Sequence, residues 1–433
     1  MEALKFLIIG ALGALAAMLA NRGVAVFNDG FRPIVPEYYE GRMDRKALAA
    51  TSFAISFGLV IGFGLPTSIA ASIILIHCIL LATDIIGVSC ADSKTGLVAS
   101  GVIGAVFGVG LLFGLQFIID IFAKLPINFL GPLGTVSTPI TVAFAVFPAV
   151  TVGLQFGFTK GLITGIVSLI VRQLIEMYGK IAVGGMTIAL NKDGMALLAG
   201  MIILIVLAVG DKADAGKANQ QLAKLFEEKV NRIRKNWILL AIMGGLVSAA
   251  TSLAIVAGDP ISLGLLAKGQ NAEAAMTALA RAIGFVPLVA TTAIATGVYG
   301  PVGMTFVFVI GLAVGNPILA FVLGAACMTA EVFLLNVIAV ALDKFPGVRR
   351  CSDNIRTAMG RVMEIALLVG GMMAAQAMAP GFGLFVVVGL YCLNKASKKP
   401  IVDMAVGPVG AIITGLLINI LAVLQMYPLP AAK

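Results

Sequence analysis

The sequence predicts an all-α polytopic membrane protein with about 12–14 spans or re-entrant hairpins in two inverted-topology repeats. Three observations carry this reading. Apolar residues make up 60% of the 433-residue chain and charged residues only 12%, about half the charged share of a soluble domain. The apolar residues come in continuous runs of about 20, the length of a helix that crosses a bilayer, whereas a transmembrane β-barrel shows short alternating segments. Two Gly/Pro-interrupted apolar stretches also fall at matching places in the two halves, the pattern of inverted-repeat transporters.

Spans are expected near 4–27, 47–64, 66–88, 97–122, 139–158, 161–177 and 194–210. After a polar segment, 211–236, more are expected near 237–257, 275–297, 301–316, 318–341, 360–379, 381–394 and 404–427. The start, MEALKFLIIG, sets Glu2 beside a single Lys5 and is no more apolar than the rest. It reads as a retained first span, not a signal peptide. The expected division is 1–210 as a first transmembrane repeat, 211–236 as a cytoplasmic amphipathic linker and 237–433 as a second repeat. In the linker, Leu222, Leu225 and Val230 would lie against the membrane with basic residues toward lipid phosphates. The short 381–394 run could be re-entrant.

The net charge of +9 would suggest nucleic acid in a soluble protein. Here the basic residues gather in loops 28–46, 211–236, 342–359 and 395–400, so no nucleic-acid partner is expected. Counting crossings puts all four on one side, and the poorer loops 123–138, 178–193 and 258–274 on the other. The positive-inside rule then makes the basic loops, Arg32 among them, cytoplasmic.

Two segments align at an offset of about 228: 32–56 and 259–284, with Gly41 meeting Gly269 and Ile55 meeting Ile283. With seven crossings per half, the halves would run in opposite directions. Each half is also interrupted at a corresponding place: Gly64, Pro66 and Thr67 in IGFGLPTSIAAS, and Gly297, Gly300 and Pro301 in IATGVYGPVGMT. Such paired breaks point to a midplane solute site, although a tight turn at the surface fits the same residues. A third break, FLGPLGTVSTPITVAF, offers Thr135 and Ser137, hydroxyls that could line a polar cavity or order an outer loop.

Ionisable residues inside spans are costly, which makes them candidates for function. His77 and Asp84 are seven residues apart and share a helix face. Glu331 stands near the centre of its span with no basic residue close in sequence. Asp84 and Glu331 are the expected carriers of H⁺ or Na⁺ coupling, and His77 a hydrogen-bonding group for a polar ligand. Arg172 with Glu176, and Arg361 with Glu364, have the spacing of structural pairs. Five scattered cysteines and a single histidine leave no metal spacing. There is no phosphate loop, HExxH or GxSxG, so no enzymatic activity, cofactor or metal is expected.

The stretch LANRGVAVFNDGFRPIVPEYYEGRMDRKALAATSFAISFGLVIGFGLPTSI, residues 19–69, resembles the YhfT family of bacterial inner-membrane proteins, and the likeness extends over the whole chain. The resemblance implies a bacterial inner membrane and a solute-transport role, and supplies no binding residues. A more distant likeness is to the membrane component of ascorbate- and galactitol-type phosphotransferase systems (EIIC). It rests on length, broken spans and apparent repetition. It offers an alternative: a sugar permease with a separate cytoplasmic partner, although this sequence contains no soluble phosphoryl-carrying domain. A membrane-embedded enzyme or scaffold is the third class. The favoured expectation is a homodimeric secondary transporter for a small polar or anionic solute, working by alternating access.

Overall fold

A computed structural model describes residues 2–32, 34–183, 186–190, 192–211, 219–342, 346–398, 400 and 403–428. The chain begins with α1 (Glu2–Asn21), a short α2 (Val35–Tyr39) and α3 (Arg45–Leu59). A π-helical turn, Val60–Gly64, joins α3 to α4 (Leu65–Ala71). β1 (Ile74–Leu75), α5 (Ile76–Ser89), the long α6 (Lys94–Ala123) and the short α7 (Leu130–Gly134) follow. Then come α8 (Ser137–Phe156), α9 (Phe158–Tyr178), the hairpin β2 (Lys180–Val183) and β3 (Met186–Ala189), and α10 (Lys192–Gly210). The polar segment holds α11 (Asn219–Arg234), and α12 (Trp237–Ser252) leaves it at a 63° bend. The remainder is β4 (Val256–Ala257), α13 (Pro260–Leu266), α14 (Asn271–Thr296), α15 (Phe306–Ala313), α16 (Pro317–Leu342), α17 (Pro346–Met378), α18 (Phe382–Ala396) and α19 (Asp403–Val423).

The protein is all-α apart from these short strands. Among the described residues, seven helices are each long and apolar enough to cross a bilayer. They carry many exposed apolar side chains, such as Phe117, Leu169 and Ile420, as a lipid-facing surface requires. Helices in lipid gain little from burying apolar surface against each other, so close backbone approach matters more. Small residues provide it here. Gly13 of α1 packs on Gly104 of α6, and Gly244 of α12 on Gly324 and Met328 of α16. Ser248, beside Gly324, donates to the Val307 carbonyl at 2.7 Å.

Several expected boundaries move. The Gly62–Pro66 stretch does not end a span. Pro66 has no N–H, and the ladder there shifts to a wider register, with Leu65 N–H reaching the Val60 carbonyl. The chain breaks later, at left-handed Ser72 (φ 54°), before β1. The second break falls where expected, at left-handed Gly297 (φ 70°), and continues as turns through Thr305. The expected basic loop 342–359 is largely helical, because α17 starts at Pro346. The expected outer loop 258–274 begins with buried residues, Asp259 and α13. The linker residues Lys212 and Lys217, and the Leu222 and Leu225 side chains, lie outside the described residues. Val230 and Ile233 of α11 pack into the protein core.

Backbone groups released at a break inside a membrane need partners. Here each break pairs with the segment that follows another helix: the second break with the turn after α1, and β1 after the first break with β4 after α12. Val26 N–H donates to the Tyr299 carbonyl at 3.0 Å, and Tyr299 N–H to the Val24 carbonyl at 2.9 Å. β1 pairs in parallel with β4, Ile74 opposite Val256 and Leu75 opposite Ala257. The local path recurs. α1 ends at left-handed Gly23 and α12 at left-handed Ala254; Val24 N–H reaches back to the Leu19 carbonyl and Ile255 N–H to the Ala250 carbonyl. Gly41 (φ 74°) closes α2 as Gly269 (φ 73°) closes α13.

Candidate functional site

Between these paired segments lies a cavity of about 350 Å³. Its polar lining includes Asn28, Asp29, Arg32, His77, Arg281 and Thr305; Phe63, Phe285, Phe308, Met363 and Met404 supply much of its apolar wall. Both parts of the chain contribute: the turn after α1, Phe63 of the π-helical turn and His77 of α5 from the first, and Gly258, Arg281 and the second break from the second.

The first polar group is built on the turn after α1. Asp84 of α5 is buried, and its carboxylate accepts from Phe27 N–H at 2.9 Å and Asn28 N–H at 2.9 Å. Asn28 Oδ1 in turn accepts from Gly30 N–H. That fixes the turn from which Arg32 projects inward. Arg32, only 2% exposed, pairs with Asp29 at 2.7 Å and borders Gly300, while its Nε and Nη1 have no protein partner. His77 sits edge-on between the Phe27 and Phe63 rings, at 5.0 and 5.1 Å, with Nδ1 unpartnered.

The second group is built on the start of α13. Asp259 caps that helix by accepting from Ser262 N–H at 2.8 Å. Arg281 of α14, also buried, donates through Nη1 to the Gly258 carbonyl at 2.6 Å. Its guanidinium lies 5.3 Å from the Phe308 ring centroid and 3.6 Å from Asp259. A Cβ at Gly258 would meet both Phe308 and Arg281 Nη2, so glycine is what allows this approach. Arg281 Nε and Nη2, and Thr305 Oγ1, are buried without a protein partner.

Glu331 of α16 organises the other side of the second break. Its Oε2 accepts from the Tyr299 hydroxyl at 2.8 Å and from Met304 N–H at 2.7 Å. Gly303, which lines the cavity in the left-handed region, leaves no room for a side chain beside that carboxylate.

Of the residues singled out in the sequence, His77 lines the cavity directly. A Cβ at Gly300 would lie 3.3 Å from Arg32 Nη2, and Pro301 is buried in the same turn. Gly297 lies against Lys229. Gly64 packs on Cys78, next to Ser68, whose hydroxyl donates to the Gly64 carbonyl and accepts from Leu75 N–H. Thr67 is buried with its hydroxyl unpartnered, but does not line the cavity. The side chains of Pro66 and Ser137 lie outside those described. Thr135 donates to the Pro132 carbonyl at the α7–α8 junction and is also absent from the lining. Asp84 and Glu331 do not line the cavity; each holds a segment that does.

One expectation is corrected. Arg32 does not sit with the other basic residues in an exposed loop, because the turn after α1 folds back into the protein. A second basic group, Arg281, stands inside α14. Arg281 had a legible signal: an arginine within the apolar run TALARAIGFVPLVA is an ionisable residue in a span. Asn28 and Asp259 had none, because both lie in stretches that read as loops.

No solved structure matches this chain. It is 36% identical to the protein described as "Uncharacterized protein YhfT" from Escherichia coli (strain K12), over 98% of each chain. The YhfT family model, described as "Protein of unknown function", matches residues 5–427. With the match covering nearly every helix that builds the cavity, the chain belongs to the YhfT family.

Proposed function

We propose that the protein is a secondary transporter that carries a small polar or anionic solute across a bacterial inner membrane by alternating access. The observation that carries this reading is the cavity itself: about 350 Å³, walled by both halves of the chain and lined by two buried arginines that keep unpartnered N–H groups. Buried polar groups without partners are rare because desolvation is costly. A solute supplying acceptors there would relieve that cost.

The recurrence of the local path fits two inverted repeats, 1–210 and 237–433, joined through 211–236. Midplane sites between such repeats are the common transporter design. In this reading one repeat moves against the other and the cavity opens to each side in turn. Asp84 and Glu331 couple the motion to H⁺ or Na⁺. Asp84 holds the turn after α1, and Glu331 the second break, by charge-assisted hydrogen bonds. Neutralising either would weaken its hold and loosen the segment. The protein works without enzymatic turnover, as a homodimer in the lipid bilayer, with its basic loops in the cytoplasm.

The test is solute flux in proteoliposomes, with and without imposed H⁺ and Na⁺ gradients. Gradient-driven uptake that falls in D84N and E331Q supports the coupling. Uptake indifferent to both gradients and both variants removes it. Solute that arrives phosphorylated, and only with a cytoplasmic phosphoryl donor present, would replace this reading with a phosphotransferase-type permease.

A further inference from the structure

The unpartnered donors differ in geometry, and the difference names a ligand. A guanidinium presents its N–H groups in a fixed planar fork. The Nε and Nη2 hydrogens of Arg281 lie along one edge of that fork, and both nitrogens lack a protein partner. The remaining nitrogen, Nη1, is tied to the Gly258 carbonyl, and the Phe308 ring lies beside the plane. Arg281 is therefore held from behind with one complete bidentate edge unpaired, next to a cavity. Two parallel N–H donors match the two oxygens of a carboxylate. Arg32 is different. Its Nη2 is committed to Asp29, which leaves Nε and Nη1 on different edges. With His77 Nδ1 and Thr305 Oγ1, also unpartnered, Arg32 offers single-point hydrogen bonds.

Charge narrows the class further. Arg32 pairs with Asp29 and Arg281 faces Asp259, so each cation is offset by a carboxylate. A dianion would bring a second negative charge into a site whose cations are already balanced, at low dielectric. Between the polar ends the walls are apolar: Phe63, Phe285, Phe308, Met363 and Met404.

We infer that the cavity binds a small monocarboxylate bearing a hydroxyl or carbonyl oxygen. Its carboxylate sits bidentate on the Nε–Nη2 edge of Arg281, its carbon body lies along the aromatic and methionine wall, and its second oxygen meets the donors around Arg32. This rests on the cavity being the solute site and specifies the solute's chemistry.

The test is calorimetric titration of the purified full-length protein in detergent. The probes are hydroxycarboxylates of three to six carbons, the matching plain carboxylates, dicarboxylates and diols. At least one hydroxycarboxylate is expected to bind saturably. Its plain counterpart should bind about 2- to 12-fold more weakly, the value of one neutral hydrogen bond, and its diol without saturation. R281K keeps the charge and most of the stem but loses the fork. It should bind at least about tenfold more weakly while remaining monodisperse. R281Q, checked for the same monodispersity, should lose the carboxylate preference.

A diol or dicarboxylate that binds as tightly as the hydroxycarboxylate would overturn the inference. So would R281K binding like wild type, or no carboxylate binding at all. Flux in proteoliposomes separates this failure from failure of the transport reading. Uptake of a neutral solute that R281K leaves intact would keep the transporter and remove the carboxylate. Saturable carboxylate binding with no uptake would do the reverse.

Discussion

Replacing Asp84 with alanine isolates the clamp on the first cavity segment. The carboxylate is buried and is the acceptor for two backbone N–H groups, Phe27 and Asn28, at 2.9 Å each. Alanine leaves both half-buried donors without that acceptor. Each buried donor that loses its acceptor costs about 1–3 kcal/mol, so D84A should destabilise by about 2–6 kcal/mol. The scale for globular proteins is about 2.1 cal/mol/K of unfolding entropy per residue. For 433 residues that makes each kcal/mol worth about 1 °C in Tm. The expected fall is therefore about 2–6 °C, read by thermal unfolding in detergent. D84N keeps one carbonyl acceptor and loses the charge, so its fall should be about half as large. E2Q, at an exposed i,i+3 pair with Lys5, is the control and should stay within about 0.5 kcal/mol. If D84A unfolds at the wild-type temperature, the carboxylate does not hold the segment, and the account of how the cavity is built is wrong.

The same reasoning extends to the other joints. G303A puts a side chain at φ 55°, where it would collide with the Glu331 carboxylate; it should lower Tm and weaken solute binding together, checked by titrating one solute into both proteins. Y299F removes one of the two hydrogen bonds to Glu331 Oε2 while Met304 N–H remains, a loss of about 1.5–3 kcal/mol for a bond to a charged group, to be measured as the Tm difference from wild type. S68A takes away the acceptor of the buried Leu75 N–H and should cost about 1–3 kcal/mol; hydrogen exchange at Leu75 should speed up. A cysteine pair replacing Ile74 and Val256, opposed across the β1–β4 pairing, should cross-link under oxidation, and failure to do so would contradict that pairing.

The membrane class, the helical content and the second break were legible because each rests on long apolar runs or on glycine in the left-handed region, as at Gly297. The first break was misplaced because Pro66 is a strong local signal that a π-helical turn absorbs, whereas Ser72, where the helix ends, is an ordinary residue in a conformation usually left to glycine. The cavity was only half legible. His77 could be found because an ionisable residue in an apolar run stands out. Arg32 could not: a polar, Pro-flanked stretch reads as a loop at the surface, and it is drawn inward by bonds to distant parts of the chain, such as those from Phe27 and Asn28 to Asp84, 56–57 residues away. Asp84 and Glu331 were recognisable as unusual, but that Asp84 bonds to the turn after α1 and Glu331 to the second break, instead of facing the cavity, depends on contacts across the fold.

The most direct test of the central claim is uptake into proteoliposomes of a panel of organic acids, sugars and amino acids, comparing wild type with R281Q. The account predicts saturable uptake of at least one solute by the wild type and its loss in the variant, with the variant still folded and inserted. Equal uptake by both proteins, or none by the wild type across the panel, would contradict it.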